Sequence, residues 1–201
     1  MDIPGAAIFL ISTIASLYVL LLLLRFLLRI SDADYYNPLS QGIVQITNPV
    51  VKPVSLFIPS VGRVDFPTLL VAVLVELIAL MLVALILGSV LFQPVFIGWA
   101  LVGVLSLTLD IYFFALLIMV IASWIAPGSG HPILTLATQI TEPLVRPARN
   151  LIPSMGGLDF SIMAVIIGLM LLDNYLLIPQ LVGMLPAPEG LQGLQGLMLG
   201  L

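Results

Sequence analysis

The chain has 201 residues, of which 61% are apolar and only 8% are charged, and its formal net charge is −4. A soluble domain carries about 25% charged residues, so this chain has too few charges to cover a surface that faces water. It contains no cysteine and one histidine, His131, which excludes disulfides, thiolate nucleophiles and cysteine-ligated metals. The composition therefore predicts an all-α integral membrane protein of several spans.

Four apolar segments reach about 20 residues, the length that crosses a hydrocarbon core of about 30 Å. They are predicted at residues 6–30, 66–92, 96–125 and 160–182. The first is preceded by Asp2 without any Lys or Arg and is too long for the apolar region of a signal peptide, so we interpret it as a retained helix. The short stretch 88–94 predicts a tight antiparallel hairpin between the second and third spans.

A 22-residue stretch of the chain occurs twice. Residues 45–66 read QITNPVVKPVSLFIPSVGRVDF, and residues 139–160 read QITEPLVRPARNLIPSMGGLDF. Each copy lies between two predicted spans, and two spans are an even number, so both copies should have the same orientation. We therefore predict two parallel repeats, 1–94 and 95–184, unlike the inverted repeats of many transporters. The glycine-rich residues 185–201 are predicted to be a flexible tail.

The long connection in each repeat is predicted to be an amphipathic helix, at 38–58 and 132–152. Polar and apolar residues each recur there in steps of three and four, which is typical of helix faces. Such a helix lies in the membrane interface with its polar side towards water. Each connection also carries two prolines four residues apart. We therefore expect a break at Asn48 and at Glu142, with the following proline in the first turn of a second short helix.

The cations predict the orientation of the chain. All six lie in the long connections or at a helix end that leads into them: Arg25, Arg29, Lys52, Arg63, Arg146 and Arg149. The positive-inside rule then places both connections in the cytoplasm and both termini in the periplasm. Trp99 and Trp124 lie near opposite ends of the third span, and we expect them in the aromatic belts at the two interfaces.

Four of these cations are candidate binding residues: Lys52, Arg63, Arg146 and Arg149. They could bind a nucleotide or an acidic protein partner, but anionic lipid headgroups are favoured, at about 1 kcal/mol for each cation near the surface. The sequence contains no phosphate-binding loop and no base-reading motif, so nucleic acid is not an expected partner.

Two aspartates, Asp65 and Asp159, directly precede the second and fourth spans. Their carboxylates could bind a cation. The favoured interpretation is a helix N-cap, because a side-chain oxygen there accepts hydrogen bonds from free backbone N–H groups and its charge complements the helix dipole.

Three acids, Glu76, Asp110 and Asp173, lie inside predicted spans. Burying an ionised carboxylate in a bilayer costs at least about 2.5–3.5 kcal/mol. These acids could form a proton or cation site between the repeats, or they could be protonated or hydrogen-bonded groups that join helices. In the repeat Asp173 corresponds to Ala79, one turn from Glu76, so these two acids could approach each other. No catalytic triad or metal-ligand spacing is present, so neither an enzyme nor a cofactor is expected.

The repeated pattern Gln-Ile-Thr-x-Pro…Ile-Pro-Ser-x-Gly-x-x-Asp-Phe resembles the YggT family of small bacterial integral membrane proteins. Arg25 and Arg29 at the end of the first span and the segment Tyr36-Asn37-Pro38-Leu39-Ser40-Gln41 support the resemblance. It covers residues 6–180 and is similar to the two-repeat proteobacterial form.

The resemblance implies a protein of the bacterial inner membrane without established catalytic residues. It also implies a link to osmotic-stress tolerance and cation uptake, or, as in chloroplast and cyanobacterial relatives, to the assembly of membrane complexes. We expect a non-enzymatic organiser of the membrane that binds lipid and could join a membrane complex. The alternative is a proton or cation conduit, which would need a homo-oligomer because four helices leave little room for a pore.

Overall fold

A computed structural model of the protein describes residues 3–125, 130–152 and 159–187. Seven α-helices occur in these ranges: α1 (Ile3–Ile30), α2 (Pro38–Ser55), α3 (Phe66–Ile86), α4 (Val95–Ile125), α5 (Pro132–Leu151), α6 (Phe160–Leu171) and α7 (Ile178–Met184). A π-helical turn, Leu172–Leu176, joins α6 to α7. Helix α1, helix α3, helix α4 and the continuous segment Phe160–Met184 are long and apolar enough to cross a membrane. The predicted all-α class with four spans is therefore confirmed.

The second span ends at Ile86, six residues earlier than predicted. Gly88 adopts a left-handed conformation with φ of 68°, and the N–H of Ser89 donates to the carbonyl of Ala84 at 2.9 Å. This is the hydrogen bond that closes a helix with a left-handed glycine after its last turn. The chain then turns through residues 88–94 into α4, as the hairpin prediction required.

Helix α4 belongs to the second repeat and contacts helices of both repeats. Helix α1 packs along α3, and α4 packs against both of them as well as against α5 and α6. One apolar cluster, around Phe96 and Trp99, lies near the α3–α4 hairpin. A second, around Leu22 and Leu23, includes side chains from α2 and α5 at the other end of the bundle.

The placement of Trp99 in an aromatic belt was wrong. Its side chain is 0% exposed, and its indole N–H donates to the carbonyl of Pro186 at 3.2 Å. The cause is tertiary packing of α3, α4 and α7, which the position of Trp99 near a helix end does not reveal. Trp124, at the other end of α4, is 74% exposed.

The predicted breaks at Asn48 and Glu142 were also wrong, because α2 and α5 continue through their prolines. A proline removes one backbone donor and crowds the carbonyl four residues before it. The helix persists because tertiary packing supplies most helical stability. In α2, Thr47 and Val51 lie before and after Pro49 and are 0% and 1% exposed. All four prolines lie on exposed positions of their helices.

The two amphipathic helices begin side by side. Asn37 and His131, which occupy matching repeat positions, accept hydrogen bonds from the backbone N–H groups of Leu39 and Ile133 and so cap α2 and α5. The Asn37 side chain also donates to the carbonyl of Pro132 at 2.9 Å. Both helices therefore lie at the same end of the bundle, as a parallel repeat requires.

Candidate functional site

Helix α2 has three distinct sides. Its side towards the bundle is formed by the buried residues Ser40, Thr47 and Val51. A second side exposes the apolar residues Leu39, Ile46 and Val50, and a third exposes the polar residues Gln41, Gln45 and Lys52. At about 100° per residue, the buried side lies about 100° from the apolar side and about 120° from the polar side, and the apolar and polar sides are about 140° apart.

Helix α5 repeats the buried side but not the full apolar side. Thr141 and Val145, the counterparts of Thr47 and Val51, are both 0% exposed. Ile140, the counterpart of the exposed Ile46, is only 3% exposed, because it packs in the apolar cluster around Leu22 and Leu23 of α1. The two amphipathic helices are therefore equivalent in sequence but differ in how much apolar surface they present.

The four predicted lipid-binding cations fall into two pairs. Lys52 and Arg146 are exposed on the polar sides of α2 and α5. Arg63 forms an ion pair with Asp32 at 2.5 Å. Arg149 forms ion pairs with two acids of its own repeat, so part of its charge is already compensated. Among the described residues, the structure gives no ion pair for Lys52 or Arg146.

A buried charge cluster joins α1, α2 and α3. Oδ2 of Asp65 lies 3.3 Å from Nη1 of Arg29 and 3.7 Å from Nε of Arg25. Nη1 of Arg25 donates to Oγ1 of Thr47 and to Oδ1 of Asn48, both at 2.9 Å. The side chains of Arg25 and Asp65 are only 15% and 3% exposed. We call these five residues the Arg25–Asp65 cluster.

The prediction that the side chain of Asp65 caps α3 was wrong. Asp65 occupies the N-cap position, but its side chain makes no capping hydrogen bond. Its oxygens instead face Arg25 and Arg29 and accept a hydrogen bond from Oγ of Ser60 at 3.2 Å. Two guanidinium groups attract a carboxylate more strongly than one neutral amide. The sequence signal that could have indicated this is the i, i+4 spacing of Arg25 and Arg29, which places both on one side of α1.

The second repeat has no cation at the position that corresponds to Arg25. Met119 stands at the position of Arg25, and its Sδ accepts a hydrogen bond from Oγ1 of Thr141 at 2.9 Å. Asp159, the counterpart of Asp65, does cap its helix by accepting from the N–H of Ser161 at 3.1 Å. Nε of Arg149, from the end of α5, lies 2.8 Å from Oδ2 of Asp159, and its Nη1 lies 3.3 Å from Glu142.

The ion pair of Arg149 affects the titration of Asp159. Partial burial opposes ionisation, but the hydrogen bonds from Arg149 and Ser161 outweigh it and hold the pKa of Asp159 below its usual range. A lowered pKa means that this pair stabilises the fold above the unfolded value of about 3.9. The contribution is lost only as pH falls through the lowered pKa, so the pair is intact near neutral pH.

The intramembrane acids lie in two separate places. Glu76 is 8% exposed and shares one side of α3 with the buried residues Ala72 and Leu80. Asp173 lies in the π-helical turn, where its Oδ1 accepts a hydrogen bond from Oγ of Ser106 at 3.2 Å. Asp110 lies one turn along α4 from Ser106. The structure thus brings Asp110 and Asp173 to one seam between α4 and the π-helical turn, and it ties Asp173 to α4 and not to α3.

Metal ligation finds no support in the described ranges. Residues 3–125, 130–152 and 159–187 contain no group of three or more His, Asp or Glu side chains that could hold a metal ion.

A family model identifies the architecture just described. The model of CCB3/YggT matches residues 4–86 and again residues 98–180. The chain belongs to the CCB3/YggT family. The first match ends where α3 ends, so in this chain the first family unit comprises α1, α2 and α3. The predicted family resemblance and the two repeats are confirmed.

Bacterial relatives cover most of the chain. It is 43% identical over 188 residues to the uncharacterised protein PA0392 of Pseudomonas aeruginosa, covering 92% of this chain and 95% of that protein. It is 40% identical over 163 residues to a protein encoded in the proC 3′ region of Vibrio alginolyticus, covering 80% and 88%. It is 38% identical over 160 residues to YggT of Escherichia coli K12, covering 79% and 82%. No solved structure matches the chain at a significant level.

Within this CCB3/YggT chain the two units differ in their charged contacts. The first unit contains the buried arginine and its carboxylate, whereas the second has Met119 and the more exposed pair of Arg149 and Asp159. The Arg25–Asp65 cluster is therefore specific to one copy, and it is the feature that sequence reasoning missed.

Proposed function

We propose that this CCB3/YggT protein is a non-enzymatic organiser of the bacterial inner membrane. Helices α2 and α5 would lie in the cytoplasmic interface, with both termini of the chain in the periplasm. There they would engage anionic lipid headgroups or dock a membrane complex and so support the envelope under osmotic stress. One observation carries this proposal: α2 exposes separate apolar and polar sides while its third side packs against the bundle.

That arrangement fits a bilayer surface better than it fits water. Ile46 and Val50 are 54% and 44% exposed, and Phe57, just after the helix, is 86% exposed. The apolar side of a helix that does not pack against the bundle is stabilised when it is buried about 5–10 Å deep, at the boundary between headgroups and acyl chains. The polar side then faces the cytoplasm, where Lys52 and, on α5, Arg146 can interact with anionic headgroups.

Fluorescence quenching tests the placement of α2. We expect a fluorophore on Ile46→Cys to be quenched by brominated acyl chains in liposomes and shielded from aqueous iodide. The matched variant Gln45→Cys, one residue away on the polar side, should show the reverse. The chain contains no native cysteine, so each label reports a single position. Equal quenching of both positions by iodide would rule out the interfacial placement.

A proton or cation conduit is the second candidate, and the seam of Asp110 and Asp173 favours it. The π-helical turn places Asp173 against Ser106 of α4, and π-turns inside helices occur frequently at functional sites. Carboxylates at this depth are costly and are by default functional hypotheses. This route would run between α4 and the fourth span, away from the amphipathic helices.

Flux measurements distinguish the conduit from the organiser. If the conduit exists, proton or potassium flux into protein-containing liposomes should fall at least about tenfold in Asp110→Asn and Asp173→Asn, because each change removes an ionisable site. Glu76→Gln tests whether the acid buried in α3 belongs to the same route. The conduit is excluded if flux equals that of protein-free liposomes, or if all three variants conduct like the wild type.

A further inference from the structure

A charged cleft opens at the end of α1, beside α2. Its volume is about 310 Å³, and its lining includes Arg25, Arg29, Asp32, Tyr35 and Asp65. The side chains of Arg25 and Asp65 form the floor, and those of Arg29 and Asp32, 45% and 64% exposed, lie nearer the rim. This size is at the lower end of ligand pockets in proteins, which range from about 300 to 1,000 Å³.

The lining of the cleft contains two guanidinium groups, of Arg25 and Arg29, and two carboxylates, of Asp32 and Asp65. Asp32 is paired with Arg63, while the single carboxylate of Asp65 lies between Arg25 and Arg29. Both contacts of Arg29 with Asp65 and Ser60 use Nη1. A guanidinium has five N–H donors in a planar fork, so Arg29 retains donors directed elsewhere. A ligand with several acceptor oxygens would accept hydrogen bonds from these donors.

The depth of the cleft matches the level of lipid phosphates. Helix α1 has 28 residues and is about 42 Å long at about 1.5 Å per residue. A hydrocarbon core is about 30 Å thick, or about 40–45 Å with its headgroup regions. Arg29, in the last turn of α1, therefore lies near headgroup level if α1 crosses the membrane.

We propose that this cleft binds the phosphate of one anionic phospholipid headgroup, with Arg29 as its main ligand and Arg25 beneath it. The site rests on the proposed interfacial placement of α2, which forms one wall through Ser40 and Val44. Basic pockets between membrane helices on the cytoplasmic side are a recurring mode of headgroup recognition. The second repeat cannot form the same site, because Met119 and Ser123 stand where the first repeat has Arg25 and Arg29.

Native mass spectrometry of the full chain, titrated in detergent with phosphatidylglycerol, tests the site. We expect wild-type protein to retain one lipid more tightly than the rest. Arg29→Gln should weaken that binding step about tenfold or more, the effect of removing a hydrogen bond to a charged group. Ser123→Gln is the matched control, because it places the same side chain at the corresponding, exposed position of the second repeat. It should leave the tight step unchanged.

Three further results would overturn the proposal. These are unchanged lipid binding by Arg29→Gln, equal weakening by Ser123→Gln, and displacement of the lipid by inorganic phosphate at the same concentration, which would indicate a site for the free ion. Arg29→Lys keeps the charge without the planar fork and should bind with intermediate affinity. It therefore remains informative if the glutamine variant does not fold. Quenching at positions 45 and 46 does not depend on Arg29, so failure of the cleft and failure of the interfacial placement are separable.

Discussion

Replacing Asp65 with asparagine is expected to lower the free energy of unfolding by about 3–5 kcal/mol, the usual cost of removing one partner from a buried ion pair. Arg25 is only 15% exposed, so it would keep a charge that neither water nor a carboxylate compensates. Arg29 is half-exposed and would lose less, because water can solvate it. The measurement is the free energy of unfolding of wild type and variant in the same detergent.

A double variant tests whether the stability lost in Asp65→Asn comes from the uncompensated charge of Arg25. Arg25→Met with Asp65→Asn places at position 25 the residue type of the second repeat, where Met119 accepts the hydroxyl hydrogen bond of Thr141. Removing both charges leaves none buried, so the double variant should recover most of the stability lost in Asp65→Asn alone. A single variant as stable as the wild type would contradict a stabilising role for the cluster. So would a double variant that loses the sum of the two single effects.

Replacing Trp99 with alanine is expected to cost about 3–5 kcal/mol, the usual loss for a large aromatic side chain in a core. Trp99 is fully buried with Phe96 and Leu80, and its indole N–H fixes the chain after α7 by donating to Pro186. Trp99→Phe keeps most of the apolar contact and should cost less, about 0.5–1.5 kcal/mol for the hydrogen bond plus a packing defect.

Trp124→Ala provides the matched control for Trp99. It removes the same side chain from the same helix, but at a position that is 74% exposed. Surface substitutions of this kind usually change stability by less than about 0.5 kcal/mol. Equal effects of the two substitutions on thermal unfolding in detergent would contradict the burial of Trp99 in the bundle.

The spans and the repeat could be predicted because their signals are local. Apolar length alone indicates a membrane helix, and the 22 residues from Gln45 have a matching copy from Gln139 without any gap. The helix faces of α2 were also visible as steps of three and four in the sequence. The π-helical turn around Asp173 was not, because its sequence, LDNYL, contains no proline or glycine to mark it.

The predictions that were wrong concern residues whose contacts lie in distant parts of the chain. The prolines of α2 predict a break only if the helix stands alone, and the packing of Thr47 and Val51 against the bundle overrides that tendency. Asp65 has the sequence context of a helix cap, yet its partners lie 36 and 40 residues earlier in the chain. No periodicity predicts which of several cations will meet a given carboxylate, so the Arg25–Asp65 cluster needed a structure.

Labelling of single cysteines from each side of the membrane tests most directly that α2 and α5 share one membrane face. We expect Lys52→Cys and Arg146→Cys in right-side-out spheroplasts to react with an impermeant maleimide only after permeabilisation. Val90→Cys, in the α3–α4 hairpin and 57% exposed as valine, should react without it. Labelling of positions 52 and 146 from opposite sides, or of both from the outside, would contradict the account.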